Sequence, residues 1–295
     1  MEGDRFVDDS RRLLEAASEF ANYPGVQNDA SVREFLDRFP LPVIIGSCAL
    51  QTTGDVAGLE HTLLNCLERI FRTKYGASLI PDYMPFVVVG LKAASPEARS
   101  LCCKIVSCLL EKSDDLSVSP VKLIVDNNVY PLLLDCLING DERTAAASMD
   151  TIKRLTYFQD GVGVVFPADD TVPTHLGNLA ARCTSLERVR VLSLIVKLFS
   201  ISIAVASTIY NHNLLKFFEA EIRDQKDILV TLSVLELLHE MTEVQHGNEI
   251  LSRTSLLQLL SSIISNEMTE SVLRSRAIMI CGRLLSKDAV YHDSR

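Results

Sequence analysis

Two stretches of this chain repeat one another, and that repetition restricts the possible fold more than any other feature. Residues 185–202 read SLERVRVLSLIVKLFSIS, and residues 225–242 read QKDILVTLSVLELLHEMT. At an offset of 40, Leu192, Ser193, Ile195 and Leu198 fall on Leu232, Ser233, Leu235 and Leu238. Apolar residues recur every three or four positions in both stretches, and neither contains Gly or Pro, so both read as helices. A shorter apolar segment follows each, at His212–Ile222 and Ser255–Ile264.

The same period runs through most of the chain. Triads at i, i+3, i+6 mark one long helix per repeat: Leu64/Leu67/Ile70, Cys103/Val106/Leu109, Met149/Ile152/Leu155, Leu192/Ile195/Leu198, Leu232/Leu235/Leu238 and Ile278/Cys281/Leu284. Their first members lie 39 to 46 residues apart, which is the range of armadillo and HEAT repeats. The fold class that follows is all-α, an armadillo/HEAT-like right-handed superhelical solenoid of about six repeats. With 47% apolar residues, 13 Gly, 10 Pro and no Trp, the composition suits helix packed on helix. Residues 1–55 read as N-terminal capping helices, with Leu13, Leu14, Ala17 and Phe20 on one face, Ser31 as a cap, and a turn at Thr52–Asp55. Residues 56–295 read as one continuous repeat array. The sequence stops at SKDAVYHDSR soon after a long helix, so a shortened form is expected.

The connectors repeat as well. Acidic or polar starts at Ser95, Gly140, Thr184 and Met268 precede four of the later long helices, with Ser95-Pro96 and Asp141 suited to the N-cap. Gly76, Gly161 and Gly247 follow long helices and read as C-terminal stops. Pro85, Pro131 and Pro173 open the helices that come next, and three helices per repeat favour armadillo over HEAT.

Motifs for chemistry are nearly absent. HEMTEVQH, His239–His246, has Glu243 where a zinc-protease motif needs its second His. Gly161-Val-Gly163 has Phe166 in place of the third glycine of a phosphate loop. The eight cysteines form no C-x-x-C and read as small buried hydrophobes. These readings exclude no pocket assembled from distant residues, but the expectation is a non-enzyme with no cofactor and no metal. A net charge of −9 argues against nucleic acid and anionic membranes as partners. No run approaches the ~18 apolar residues of a membrane span, and the acidic N-terminus does not resemble a signal peptide. The expected setting is the cytoplasm or nucleus, and the expected state is a monomer.

If the long helices line the concave face of the array, the residues one and five beyond each first triad member share the exposed side. These are Asn65, Lys104, Asp150, Ser193, Ser233 and Met279, then Arg69, Cys108, Arg154, Lys197, Leu237 and Arg283. Five of the twelve are basic and one is acidic, which suggests a basic stripe inside an acidic chain. Arg69, Lys104, Asp150, Arg154, Lys197 and Arg283 are therefore the candidate partner-binding residues. The alternative, that long cationic stems merely cover apolar helix surface, stays open.

The stretch from Asp141 to Ser265, carried by SLERVRVLSLIVKLFSIS and by LVTLSVLELLHEMTEVQHGNEILSRTSLLQLLSSII, resembles the proteasome non-ATPase regulatory subunit 5 family. That resemblance implies an armadillo-like chaperone for assembly of the regulatory-particle base. It would bind a proteasomal ATPase subunit through that subunit's C-terminal small domain, without catalysis. The alternative is a generic armadillo adaptor for an acidic peptide or another protein. Karyopherin-alpha-type cargo binding, which needs Trp and Asn at these groove positions, does not match.

Overall fold

The computed structural model describes residues 2–50, 58–112 and 118–292, with side chains over 11–48, 58–112 and 118–285. The turn expected at Thr52–Asp55 and the boundary at residue 55 lie outside the described residues. Among the described residues every regular element is helical. The chain divides into two compact units, Met1–Leu155 and Thr156–Arg295.

The first unit opens with α1 (Glu2–Asn22), α2 (Asp29–Arg38) and α3 (Leu41–Leu50). Leu13, Ala17 and Phe20 of α1 are buried, and the Phe20 and Phe35 rings meet at 4.5 Å. The N-cap of α2 is Asn28, and Ser31 is its reciprocal partner one turn in: the Ser31 N–H donates to Asn28 Oδ1 at 2.9 Å and the Asn28 N–H to Ser31 Oγ at 3.1 Å. The sequence reading had placed the cap on Ser31, because either residue of such a box resembles a cap. The regular part follows: α4 (Leu59–Phe71), α5 (Lys74–Leu79), a 3-10 turn (Ile80–Tyr83), α6 (Met84–Leu91), α7 (Pro96–Glu111), α8 (Pro120–Asp126), α9 (Val129–Asn139) and α10 (Glu142–Leu155).

The second unit holds α11 (Gln159–Val165), α12 (Leu176–Arg182), α13 (Ser185–Phe199), α14 (Ile203–Asn211), α15 (Lys216–Asp224), α16 (Ile228–Glu243), α17 (Gly247–Leu251), α18 (Leu256–Ser265) and α19 (Ser271–His292). Two shorter helices and then a long one recur in order through both units. In each unit the long helix packs on the long helix of the next repeat: α4 on α7 and α7 on α10, then α13 on α16 and α16 on α19. This is the armadillo-like arrangement that the period implied.

Three of the long helices, α7, α10 and α16, start where a capping side chain satisfies a free amide. Ser95 Oγ accepts from the Ala98 N–H at 3.3 Å, with Pro96 at the first helical position. Asp141 Oδ1 accepts from Thr144 at 2.8 Å, and Asp227 Oδ1 from Leu229 at 2.9 Å. The triads hold where they were marked on α4, α7, α10 and α13, all of whose members are buried. On α16 and α19 the first member is one residue late. Thr231 (1% exposed) and Ala277 (0%) face inward, while Ile278 is 54% exposed. Periodicity favoured the larger apolar residue over the small one beside it.

The connecting glycines act differently from the expectation. Gly76 and Gly247 lie inside the first turns of α5 and α17, with no positive φ. A Cβ would stand 1.9 Å from the Ile70 carbonyl oxygen at Gly76 and 2.0 Å from the Met241 oxygen at Gly247. Each glycine thus admits the end of the preceding long helix, a close-approach role and not a left-handed cap. Gly161 is buried within α11. Pro85 and Pro131 do sit in the first turns of α6 and α9, but Pro173 precedes α12 by three residues. Among the described residues no helix is long and apolar enough to cross a membrane.

Candidate protein-binding groove

The long helices α4, α7 and α10 of the first unit lie side by side because small and hydroxylic residues let them approach. Thr144 and Thr151, two turns apart on α10 and both 0% exposed, point their hydroxyls at α7. They reach the Pro96 carbonyl at 3.1 Å and the Cys103 carbonyl at 2.8 Å. Ser148, between them, donates to the Leu133 carbonyl of α9 at 2.5 Å. Buried hydroxyls satisfied in this way fix the register of α10 on its neighbours.

One face of the three helices lines a groove of about 810 Å³. Its floor includes Leu64 and Leu101, which are nearly buried, and its walls are charged. Five carboxylates, Glu68, Glu97, Glu111, Asp141 and Asp150, oppose five cations, Arg72, Lys104, Lys112, Arg143 and Arg154. The charge of this groove is therefore balanced, not basic as the twelve marked positions alone suggested. The carboxylates come mostly from positions outside that set.

Those carboxylates follow a rule that the sequence reading missed. A Glu on one long helix meets a cation on the next. Glu68 of α4 takes Lys104 of α7 at 2.8 Å and also Arg72 at 2.6 Å. Glu111 of α7 takes Arg154 of α10 at 3.7 Å. In the second unit, Glu236 and Glu243 of α16 pair with Arg276 and Arg283 of α19. Glu68 and Glu236 both stand four residues beyond a first triad member, a recurrence visible in the sequence once carboxylates are tracked with the cations.

The six candidate residues therefore divide. Lys104, Asp150 and Arg154 line the groove together. Arg69, on the same helix as Glu68, turns out of it and donates Nη1 to the Tyr23 carbonyl at 2.6 Å. In the second unit, Lys197 lies half-buried on α13, and Arg283 pairs with Glu243. Pairs this exposed contribute roughly 0–1 kcal/mol each. Their main effect is to hold the charged groups in fixed positions at the surface.

The thiols are used for packing, and the one histidine motif of the sequence joins helices. Seven cysteines are buried and Cys48 is half-buried, all as free thiols. Burial pushes Cys66 and Cys102 up to about 12. Cys136 is held below the ordinary thiol value by its hydrogen bond to Cys103 and by Arg99, yet it is 0% exposed. In HEMTEVQH, His246 donates Nε2–H to the Phe199 carbonyl at 2.8 Å, with its ring 5.3 Å from the Phe199 ring. It joins α13 to the start of α17, while His239 is half-buried on α16. Among the described residues no group of three or more His, Cys, Asp or Glu is placed to hold a metal ion.

Several solved structures are similar to the chain. An engineered protein aligns at 11% identity with a TM-score of 0.46, covering 82% of this chain and 98% of its own. A designed armadillo repeat protein in complex with the peptide (KR)4 aligns at 13% identity and 0.45, covering 82% and 99%. A second designed armadillo repeat protein aligns at 11% and 0.42, covering 83% and 99%. No curated protein matches the chain by sequence. The profile of the family described as proteasome non-ATPase 26S subunit matches residues 56–279, about three quarters of the sequence and every repeat that forms the groove, and the chain belongs to that family.

Proposed function

We propose that this protein is a noncatalytic assembly chaperone that binds an ATPase subunit of the proteasome regulatory-particle base through that subunit's C-terminal small domain. The observation that carries this reading is the groove across α4, α7 and α10. It is open, has an apolar floor, and sets charges in pairs of both signs. Small-molecule sites are usually enclosed and mostly apolar. A surface of this kind suits a folded partner that supplies complementary charges of both signs. Family membership supports a proteasomal protein as the partner, and the resemblance to the subunit 5 type points to an ATPase. The free, mostly buried thiols suit the reducing cytosol or nucleus, where proteasomes are assembled. An adaptor for a purely acidic peptide is less well supported, because such a ligand would meet as many carboxylates as cations.

The test is calorimetric titration of the purified chain with the small C-terminal domains of the base ATPases, one at a time. One of them is expected to bind. Lys104→Glu combined with Arg154→Glu should weaken that binding about tenfold or more and flatten its dependence on salt, with helix content unchanged by circular dichroism. Failure of every ATPase domain to bind, or unchanged affinity in the double variant, would overturn the reading.

A further inference from the structure

We propose that the cleft between α1 and α2 is a second protein-binding site, which takes a short partner segment that sets an arginine or lysine beside an apolar side chain. The cleft has a volume of about 370 Å³ and is lined from within residues 16–38. It is separate from the groove of α4, α7 and α10, and it precedes the residues that the family profile matches. Ala16, Glu19 and Phe20 of α1, and Ser31, Glu34 and Phe35 of α2, are spaced i, i+3, i+4. Each helix therefore gives the cleft one side, with a glutamate followed by a phenylalanine on both.

The walls are held in place by the chain's own contacts. The rings of Phe20 and Phe35, which meet at 4.5 Å, close the floor. Gln27 ties the two helices together: its Nε2 donates to the Phe20 carbonyl at 2.9 Å and its Oε1 accepts from Ser31 Oγ at 2.8 Å. Arg69 donates to the Tyr23 carbonyl, and the Tyr23 ring lies so close to Gly25 that a Cβ there would stand 2.4 Å from Tyr23 Cε1. Arg69, expected from sequence to contact a partner, thus fixes the edge of this cleft. A site built in advance loses little to ordering when it binds.

Two features of the lining say what it receives. The first is charge. Glu19 and Glu34 are exposed, and among the described residues neither has an ion-pair partner. Arg38, the one cation among the lining residues, stands over the Phe39 ring at 5.6 Å from its centroid. The second is apolar surface on the loop joining the helices, where Tyr23 is 53% exposed and Val26 93%. An apolar ligand alone would desolvate the carboxylates without pairing them, which costs free energy. A small cation alone would leave Tyr23 and Val26 uncovered. An arginine or lysine can lay its stem along the aromatic surface with its head at the carboxylates, while an apolar neighbour covers Val26. Nucleic acid and anionic lipid would set phosphates against the two glutamates and be repelled.

Fluorescence anisotropy of fluorescein-labelled peptides with the full chain reads the outcome. The peptide GRLRLG is expected to bind with a Kd of about 10–100 µM, as a small open site does. GRSRSG, which lacks the apolar side chains, and GELELG, with its charge reversed, should each bind at least about tenfold more weakly. Glu19→Gln combined with Glu34→Gln should weaken GRLRLG binding about tenfold and reduce its salt dependence. Val26→Ser should weaken it about threefold. Helix content and melting should stay as in wild type, because all three positions are exposed. No ATPase domain enters this test, so its failure leaves the groove reading standing, and the reverse holds. Absence of GRLRLG binding up to about 1 mM, equal binding of GRSRSG or GELELG, or undiminished binding to both variants would overturn the proposal.

Discussion

His175 does at the start of α12 what Thr73, Ser95, Asp141, Ser202 and Asp227 do at the starts of α5, α7, α10, α14 and α16. Its Nδ1 accepts from the Gly177 N–H at 3.2 Å, so the ring proton must sit on Nε2, which lies 3.1 Å from Nδ1 of His212. The imidazole is 5% exposed. Burial first, then the neighbouring His212, holds its pKa below the ordinary 6.5. Protonating Nδ1 would remove the acceptor that caps the helix. The sign follows directly: a group that resists protonation when folded but not when unfolded gives stability that is present above pH 6.5 and is lost as pH falls. Urea denaturation should therefore show constant stability above about pH 7 and a decline toward pH 5. His175→Asn keeps a capping acceptor without the titration and should flatten that decline, and an unchanged slope would remove His175 as its source. Sequence reading had no means of finding this cap. Histidine is not a favoured capping residue, its partner lies 37 positions away, and Pro173 drew attention to an earlier start.

The long helices were legible because each buries one stripe, and a stripe imposes a period that survives substitution of one apolar residue by another. The joints were not. A glycine at a helix end suggests a left-handed cap, and nothing in a linear sequence distinguishes that from a glycine that only needs room. The structure shows that Gly247 is of the second kind, and a glycine with open space around it serves as the comparison. Gly247→Ala puts a methyl group against the Met241 backbone oxygen, which cannot turn aside as a side chain could. It should cost about 1–3 kcal/mol or more, as overpacking does. Gly163→Ala, on the exposed side of α11 with nothing within 4 Å, should instead stabilise by about 0.5–1 kcal/mol, because alanine is the better helix former. Thermal melting of the two variants should move in opposite directions. A Gly247→Ala protein as stable as wild type would mean that α16 and α17 do not meet as described.

At the scale of the whole molecule, the chain combines a net charge of −9 with a groove whose charges cancel. Two of the five groove cations, Lys104 and Arg154, were readable because they keep a fixed offset from the buried triads. Their carboxylate partners went unseen because each ion pair spans two repeats: Glu68 and Lys104 are 36 residues apart, and only the stacking of α4 on α7 makes them neighbours. All of the groove-lining residues fall between His61 and Arg154, within the compact unit Met1–Leu155. Repeat arrays are stabilised by nearest-neighbour contacts, so this unit holds its own core: Leu67, Ile70, Val106, Leu109 and Ile152 are each 0% exposed. A protein of residues 1–155 should accordingly fold, with a cooperative melt and high helix content. It should also bind the same ATPase small domain as the full chain, with affinity within about fivefold, or about 1 kcal/mol. Residues 156–295 alone should show no binding to that domain. If the first segment folds but binds more than about a hundredfold more weakly, a gap of nearly 3 kcal/mol, the groove is not the main contact and the recognition surface must draw on the second unit. If it binds as expected while Lys104→Glu within it does not, the balanced charges of the groove are what the partner reads.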